Sequence, residues 1–145
     1  MSVKIIRVHA VTESLVEAFA RLMPQLSSHG CAPKVEELRD VVAAENSVLF
    51  AAECDGAIVG VLTLVWYAVP SGRKAWIEDV VVDASQRGSG IGEQLVRAAL
   101  AAATNAGVAS VTLTSKATRE AAHRLYRRMG FAEVETSVFR FIITK

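Results

Sequence analysis

Between Val80 and Val96 the chain reads VVVDASQRGSGIGEQLV: three valines pass through a short polar turn into Gly88, Gly90 and Gly92, and then into a helix. Glycines at that spacing let backbone N–H groups converge on a ligand without side-chain obstruction. A helix start adds unpaired donors and the positive end of its dipole. The pattern Arg87-x-x-Gly90-x-Gly92, with Gly88 as an extra glycine, is thus a candidate cradle for a pyrophosphate. A tight strand-to-helix connection with no ligand accounts for the same residues equally well. Two better-known phosphate loops do not fit. A dinucleotide fingerprint wants its third glycine where Glu93 stands, and a Walker loop wants Lys followed by Ser or Thr where this chain has Gly92-Glu93.

The elements that must position this turn follow from periodicity. VKIIRVHA reads as a first strand, and Thr12 caps a helix, ESLVEAFARLM, with Leu15, Ala18, Phe19 and Leu22 at helical spacing; Pro24 is expected to end it. A loop leads to a second helix, residues 34–45, with Val35, Leu38, Val41 and Val42 on one face. SVLFAAE and AIVGVLTLVWY are strands joined by a hairpin turn at Asp55-Gly56. After a polar loop, VPSGRK, the stretch AWIEDVVVD is the third strand of that sheet.

Beyond the glycine turn come a helix, EQLVRAALAAATNAG, stopped by Gly107, and a strand, VASVTLTS. A last helix, TREAAHRLYRRMG, has Thr118 as cap and Gly130 as stop, and SVFRFIIT, residues 137–144, is a closing strand. The order β-α-α-β-β-β-α-β-α-β implies an α/β fold (α+β mixed sheet), antiparallel at its start and parallel near the glycine turn.

The 145 residues are read as a single domain, 1–145, and 52% hydrophobic content supplies a core. Net charge is +1, so no whole-molecule field attracts a nucleic acid or an anionic membrane, and any anion is bound locally. Cys31 and Cys54 fit neither a zinc site nor a disulfide framework, and His9 and His29 have no ligand spacing, so no metal is expected. No apolar run approaches the roughly 20 residues that cross a bilayer. A cytoplasmic protein is the expectation.

IEDVVVD, QRGSGIG and AHRLYRRMGF stand in the order and rough spacing of the acetyl-CoA motifs of the GCN5-related N-acetyltransferases (GNAT), which the chain resembles from Trp76 to Phe131. The resemblance implies acetyl transfer from acetyl-CoA, as cosubstrate, to an amine. Residues Arg87, Gly88, Ser89, Gly90, Ile91 and Gly92 would wrap the pyrophosphate. A splayed break in the sheet beside Val80, Val81 and Val82 would pair with the pantetheine arm as a pseudo-strand.

An alkylammonium titrates near ~10, so an attacking amine needs a base. By resemblance that base is Glu78, directly or through water; a glutamate near ~4.3 needs burial or a water relay for the task. Strand neighbours face opposite ways, so at most one of Glu78 and Asp79 is expected in the cleft, and an edge ion pair is the alternative for either. Asp83 reads as a turn residue that stabilises the loop. Tyr126 occupies the family position of the acid that protonates the leaving thiolate, with a packed core tyrosine as the alternative.

A backbone N–H freed by the splay, assigned to Val81, would stabilise the tetrahedral intermediate. The family often places coenzyme contacts where Ser115 and Lys116 stand; Arg119 and Arg124 are candidates for phosphate contacts against the commoner reading of a solvated basic face. His123 has no nucleophile-elbow context, which disfavours a covalent route.

The resemblance implies an acceptor pocket shaped by the first two helices, their connecting loop and the loop before WIED, with Trp66, Tyr67 and Trp76 as an aromatic wall or as plain packing. AWIEDVVV and TREAAHRLYRRMGF look similar to small members that acetylate low-molecular-weight amines, including aminoalkylphosphonates. Arg73 and Lys74 would then meet an anionic group. Polyamine, aminoglycoside and protein amino-terminal or lysine acceptors stay open, as does a regulatory module that binds acyl-CoA without turnover. Many members of the family pair through their sheets or helices, so the resemblance implies a homodimer, and SVFRFIIT is apolar enough to seek a partner if it lies on an edge.

Overall fold

The computed structural model describes residues 2–143. The chain forms two compact units, Met1–Thr114 and Ser115–Lys145. The first holds β1 (Val3–Arg7), α1 (Glu13–Leu26), α2 (Val35–Ala43), β2 (Ser47–Cys54), β3 (Ala57–Val69), β4 (Gly72–Val82), α3 (Ile91–Asn105) and β5 (Ser110–Thr112). The second holds α4 (Glu120–Arg128).

The five strands make one sheet in the order β1-β2-β3-β4-β5, antiparallel from β1 to β4 and parallel between β4 and β5. One face carries α1 and α2, whose Leu15, Phe19, Leu22 and Leu38 pack on Leu49, Ile58, Val61 and Val81. Helix α3 seals the other face through Ile91, Leu95, Val96, Ala99 and Ala103. A Cβ on Gly60 would lie 3.2 Å from Leu95 Cδ1, 3.4 Å from Ile91 Cγ2 and 3.3 Å from the Val81 carbonyl. The missing side chain is therefore what lets the first turn of α3 settle against β3 and β4.

Several element ends differ from the sequence expectation. Helix α1 runs through Pro24 to Leu26, because a proline in the last turn forfeits only one backbone bond and Ser27 N–H still reaches the Met23 carbonyl at 3.2 Å. VPSGRK is no loop: β3 and β4 extend into it and turn on Pro70-Ser71, with Gly72 at φ 131°. The Asp55-Gly56 turn has φ of 52° and 83°, as a two-residue hairpin of the primed type requires.

Strand β5 is cut to Ser110–Thr112, where pairing with Lys74–Trp76 ends. Within the second unit, Arg119 rather than Thr118 precedes α4, and no side chain caps that helix. Gly130, at φ 102°, stops it. The expected closing strand is not formed over residues 137–143, which carry no strand pairing; its last residue, Thr144, lies outside the described residues.

Gly60→Val should therefore lower the unfolding free energy by about 1–3 kcal/mol through overpacking under Ile91 and Leu95. Urea denaturation followed by circular dichroism measures it, and an unchanged midpoint would show that α3 does not depend on this contact.

Candidate active site

The site is built around an irregularity in β4. Glu78 opposes Thr63 and Val81 opposes Val61, so Asp79 and Val80 together face Leu62. This is a β-bulge, and Asp79 takes φ 50°, in the left-handed region that non-glycine residues seldom enter. The extra residue reverses the alternation of faces. Glu78 and Val81, three residues apart, both lie on the α1/α2 face, since their partners Thr63 and Val61 share that face with the core. Glu78 is exposed at the surface of that face, yet its carboxyl is pushed above the ordinary glutamate value, first by desolvation and then by the charge of Asp79.

Among the described residues, β4 has no pairing on its β5 side past Trp76. On its other side, Asp83 N–H donates to the Val59 carbonyl at 2.8 Å. Alternation back along the strand then turns the N–H of Val81 toward β3, and those of Val80 and Val82 toward the unpaired side. The three valines differ accordingly: Val81 has a buried side chain and a backbone donor directed into the ladder, while Val80 and Val82 present donors to the open edge.

From β4 the chain enters a 3-10 turn, Ala84–Gln86. Asp83 Oδ1 accepts from both the N–H and the hydroxyl of Ser85 at 3.1 Å. Its other oxygen takes Arg21 Nη1 at 2.6 Å, while Arg21 Nη2 donates to the Ile58 carbonyl at 2.9 Å. Gln25, one turn later on α1, accepts from Ala84 N–H at 2.8 Å and donates to the Arg21 carbonyl at 3.1 Å. Two side chains of α1 thus pin the entrance of the glycine turn. The Asp83 carboxyl is lowered below its ordinary value, mainly by the Ser85 N–H, with the Ser85 hydroxyl and Arg21 adding to the effect against desolvation.

The turn itself uses the glycines' freedom at two places, Gly88 at φ 84° and Gly90 at φ 83°. Gly90 is the residue from which α3 starts, and the first helical bond runs from Gln94 N–H to its carbonyl. The donors of Ile91 and Gly92 precede that bond at the helix mouth. Arg87 Nε donates to the Val82 carbonyl at 3.4 Å, and the Ser89 hydroxyl donates to the Gln86 carbonyl, which fold the turn back on itself. Residues 87–92 therefore converge, with Ile91 as the buried anchor and the others near solvent.

The register also sorts the aromatic residues. Trp76 and Tyr67 share the face of Glu78, and Trp76 Nε1 donates to the Tyr67 hydroxyl at 2.8 Å. Trp66 lies on the opposite face, opposed to Ala75. Arg73 and Lys74 stand at the hairpin end of β4, at least four residues before Glu78, which is about 13 Å along a strand. They are not brought to it.

In the second unit, Ser115 Oγ is buried with no hydrogen-bond partner, the kind of orphaned hydroxyl a ligand satisfies. The Lys116 carbonyl accepts from Arg119 N–H at 3.0 Å and meets His123 Nε2 at 2.9 Å, so His123 braces this turn. Tyr126 is half-buried edge-on to Phe131, their centroids 5.7 Å apart. Burial pushes its hydroxyl above the ordinary tyrosine value, and Arg119 opposes that shift. Arg124 is exposed. Among the described residues no cluster of three or more His, Cys, Asp or Glu could hold a metal ion.

Arg21 and Gln25 escape a reading of the sequence because they look like ordinary polar positions, spaced one turn apart, on an amphipathic helix. Nothing local links them to Asp83 and Ala84, 62 and 59 residues away in the chain. Because the folded carboxyl of Asp83 is lowered, its contribution to stability is fully present above the ordinary aspartate value of ~3.9 and is lost as pH falls through the lower folded value. Asp83→Asn should therefore melt a few degrees below the parent at pH 7, with the gap closing below about pH 4. A gap unchanged down to pH 2 in a thermal-shift series would mean that the charge plays no part.

A model of the acetyltransferase (GNAT) family matches residues 12–131. The N-acetyltransferase YhdJ of Bacillus subtilis (strain 168), itself uncharacterized, is 36% identical over 110 residues, spanning 73% of this chain and 75% of its own. Among solved structures, the aminoglycoside acetyltransferase meta-AAC0020 from an uncultured soil metagenomic sample aligns with a TM-score of 0.84 at 24% identity, covering 98% of this chain and 97% of that one. The aminoglycoside acetyltransferase AAC(6')-Iy, solved with the bisubstrate analogue CoA-S-monomethyl-acetylneamine, aligns at 0.78 with 21% identity over 99% and 100%. These two likenesses are of fold, and the mixed sheet with its helices is the one they share. With the family match running across most of its length, the chain belongs to the acetyltransferase (GNAT) family.

Proposed function

We propose that this protein, as a single N-acetyltransferase domain over residues 1–145, transfers the acetyl group of acetyl-CoA directly to a primary amine of a small molecule in a ternary complex. The observation that carries this reading is the junction of the bulged, half-unpaired β4 with the glycine turn onto α3, in a chain of this family. The turn offers backbone donors and a helix start to the pyrophosphate, and the N–H groups of Val80 and Val82 offer strand-like partners to the pantetheine arm. Ser115 supplies the orphaned hydroxyl, with Lys116, Arg119 and Arg124 as further coenzyme contacts.

Glu78 takes the proton of the attacking amine, and its raised carboxyl makes it a better base than an ordinary glutamate. The oxyanion is held by a backbone N–H of the valine run. The ladder direction favours Val80 or Val82 over Val81. Tyr126, kept protonated by burial, donates to the sulfur as it leaves. Trp76 and Tyr67, on the face of Glu78, form an aromatic wall for the acceptor, whereas Arg73 and Lys74 sit too far along β4 to bind a group beside the reacting amine. The names of the aminoglycoside-acetylating neighbours support a small polyamine-like acceptor over a protein amino terminus or lysine. A cytoplasmic setting is part of this reading. The assembly is a homodimer.

Purified protein is mixed with acetyl-CoA and a panel of amino acids, polyamines, aminoglycosides and aminoalkylphosphonates, and release of coenzyme A thiol is followed. Release with one class is expected. Silence across the panel while acetyl-CoA still raises the melting temperature would favour a binding module without turnover.

With an acceptor in hand, Glu78→Gln should lower kcat/KM about 10²–10⁴-fold. Since its folded carboxyl titrates above the ordinary value, the parent should lose activity as pH falls through that raised value, and the variant should lack this acid limb. Tyr126→Phe should lower kcat by about 10²-fold with acetyl-CoA binding intact. An acid limb that survives in Glu78→Gln, or full activity in Tyr126→Phe, would remove that residue from its role.

A further inference from the structure

Residues 83–90 carry the chain from β4 to α3, and none of them is buried. The bonds among them join near neighbours: Gln86 N–H to the Asp83 carbonyl at 2.9 Å, Arg87 N–H to the Ala84 carbonyl at 3.4 Å, and the Ser89 hydroxyl to the Gln86 carbonyl. Such bonds shape a loop without fixing where it stands on the fold. Gly88 and Gly90, both at positive φ, widen what the backbone can do. A ligand that needs the N–H groups of this segment convergent must bear the cost of ordering them, unless the order is already there.

That order comes from α1. Gln25 Nε2 donates to the Arg21 carbonyl one turn back at 3.1 Å, which holds the amide along the helix with Oε1 on Ala84 N–H at 2.8 Å. Arg21 spends its two arms on two different elements, Nη1 on the Asp83 carboxylate at 2.6 Å and Nη2 on the Ile58 carbonyl of β3 at 2.9 Å. A planar fork fixes the angle between these partners, which a lysine, with one ammonium, does not reproduce. Helix α1 is not free to follow the turn, because Leu15, Ala18, Phe19 and Leu22 are buried in the core against β2, β3 and β4. The turn is thereby referred to the sheet through a rigid element.

We infer that Arg21 and Gln25 are positioning residues for the diphosphate of the acetyl donor. They hold the glycine turn in its binding shape before the donor arrives, acting through Asp83 and Ala84, and so set affinity for the diphosphate-bearing half of the donor rather than the rate of the chemistry. This rests on the coenzyme reading of the turn proposed above.

The test compares the parent with Arg21→Ala and Gln25→Leu, at a temperature well below the melting point of each. Calorimetric titration with coenzyme A should show binding weakened by about 10- to 100-fold. In the coenzyme-free protein, amide hydrogen exchange over residues 84–90 should quicken while that of β2 keeps the parent's rate. With an acceptor identified, kcat/KM for acetyl-CoA should fall by the same factor as the affinity, whereas kcat/KM for S-acetylpantetheine, which lacks the diphosphate, should stay within about twofold of the parent. Variants that bind coenzyme A as the parent does, that leave exchange in the turn unchanged, or that lose equally on both donors overturn the inference and leave Arg21 and Gln25 a role in stability alone. A parent that binds no coenzyme A overturns the coenzyme reading of the turn, and this inference with it.

Discussion

The constraint on which the site depends is one surplus residue in β4. Had β4 kept strict alternation, Glu78 and Val81 would face opposite sides of the sheet. With Asp79 and Val80 both set against Leu62, they share the α1/α2 face, and the strand bends where its pairing with β5 stops. The bulge has a local cost. Asp79 at φ 50° carries strain of about 1–3 kcal/mol in a backbone region that favours glycine. That cost is held by the ladder on both sides of it, and the Glu78 carboxyl beside the bulge is raised first by desolvation and then by repulsion from the neighbouring Asp79.

Downstream, a different device holds the glycine turn. Its residues have little side-chain mass with which to pack, so order is imported: Asp83 folds the start of the turn on Ser85, Arg21 and Gln25 reach it from α1, and Gly60 lets α3 approach closely enough for Ile91 to anchor the far end in the core. The Arg21–Asp83 pair is partly exposed and contributes modestly as an ion pair. Its value is directional, because the same guanidinium also ties the Ile58 carbonyl and so fixes the turn to β3. A loop of glycines is precise here because its neighbours are.

Most of this architecture is legible in the residues, for identifiable reasons. The 3.6-residue spacing of Leu15, Ala18, Phe19 and Leu22 marks α1, Asp55-Gly56 marks its hairpin, and Gly107 and Gly130 mark helix ends, because each of these signals is local. The bulge is not legible, since no residue type demands it: Asp79 looks like any strand-end polar residue until the register with β3 is known. Nor is the tether of α1 to the turn, which joins residues distant in the chain. The closing strand was expected from composition, but composition states only that SVFRFII wants a strand partner, and that partner is not among the described pairings. Pro24 misled for the converse reason: the penalty that breaks a helix interior is small in a last turn.

Burial raises both Glu78 and Tyr126, and the two shifts act in opposite senses on the proposed roles. A carboxylate moved upward is a stronger base at neutral pH, closer in affinity to the proton it must take. A tyrosine moved upward is a weaker acid, and full proton transfer to a thiolate whose thiol titrates near ~8.5, already uphill from the ordinary tyrosine value of ~10, becomes more so. The role proposed for Tyr126 is therefore that of a hydrogen-bond donor, protonated across the working range, to charge on sulfur as the carbon–sulfur bond breaks. Arg119, two turns before it at the start of α4, draws the hydroxyl back toward acidity. The rise from burial prevails over the opposing charge of Arg119, so the proposed role of Tyr126 is donation of a hydrogen bond rather than release of its proton.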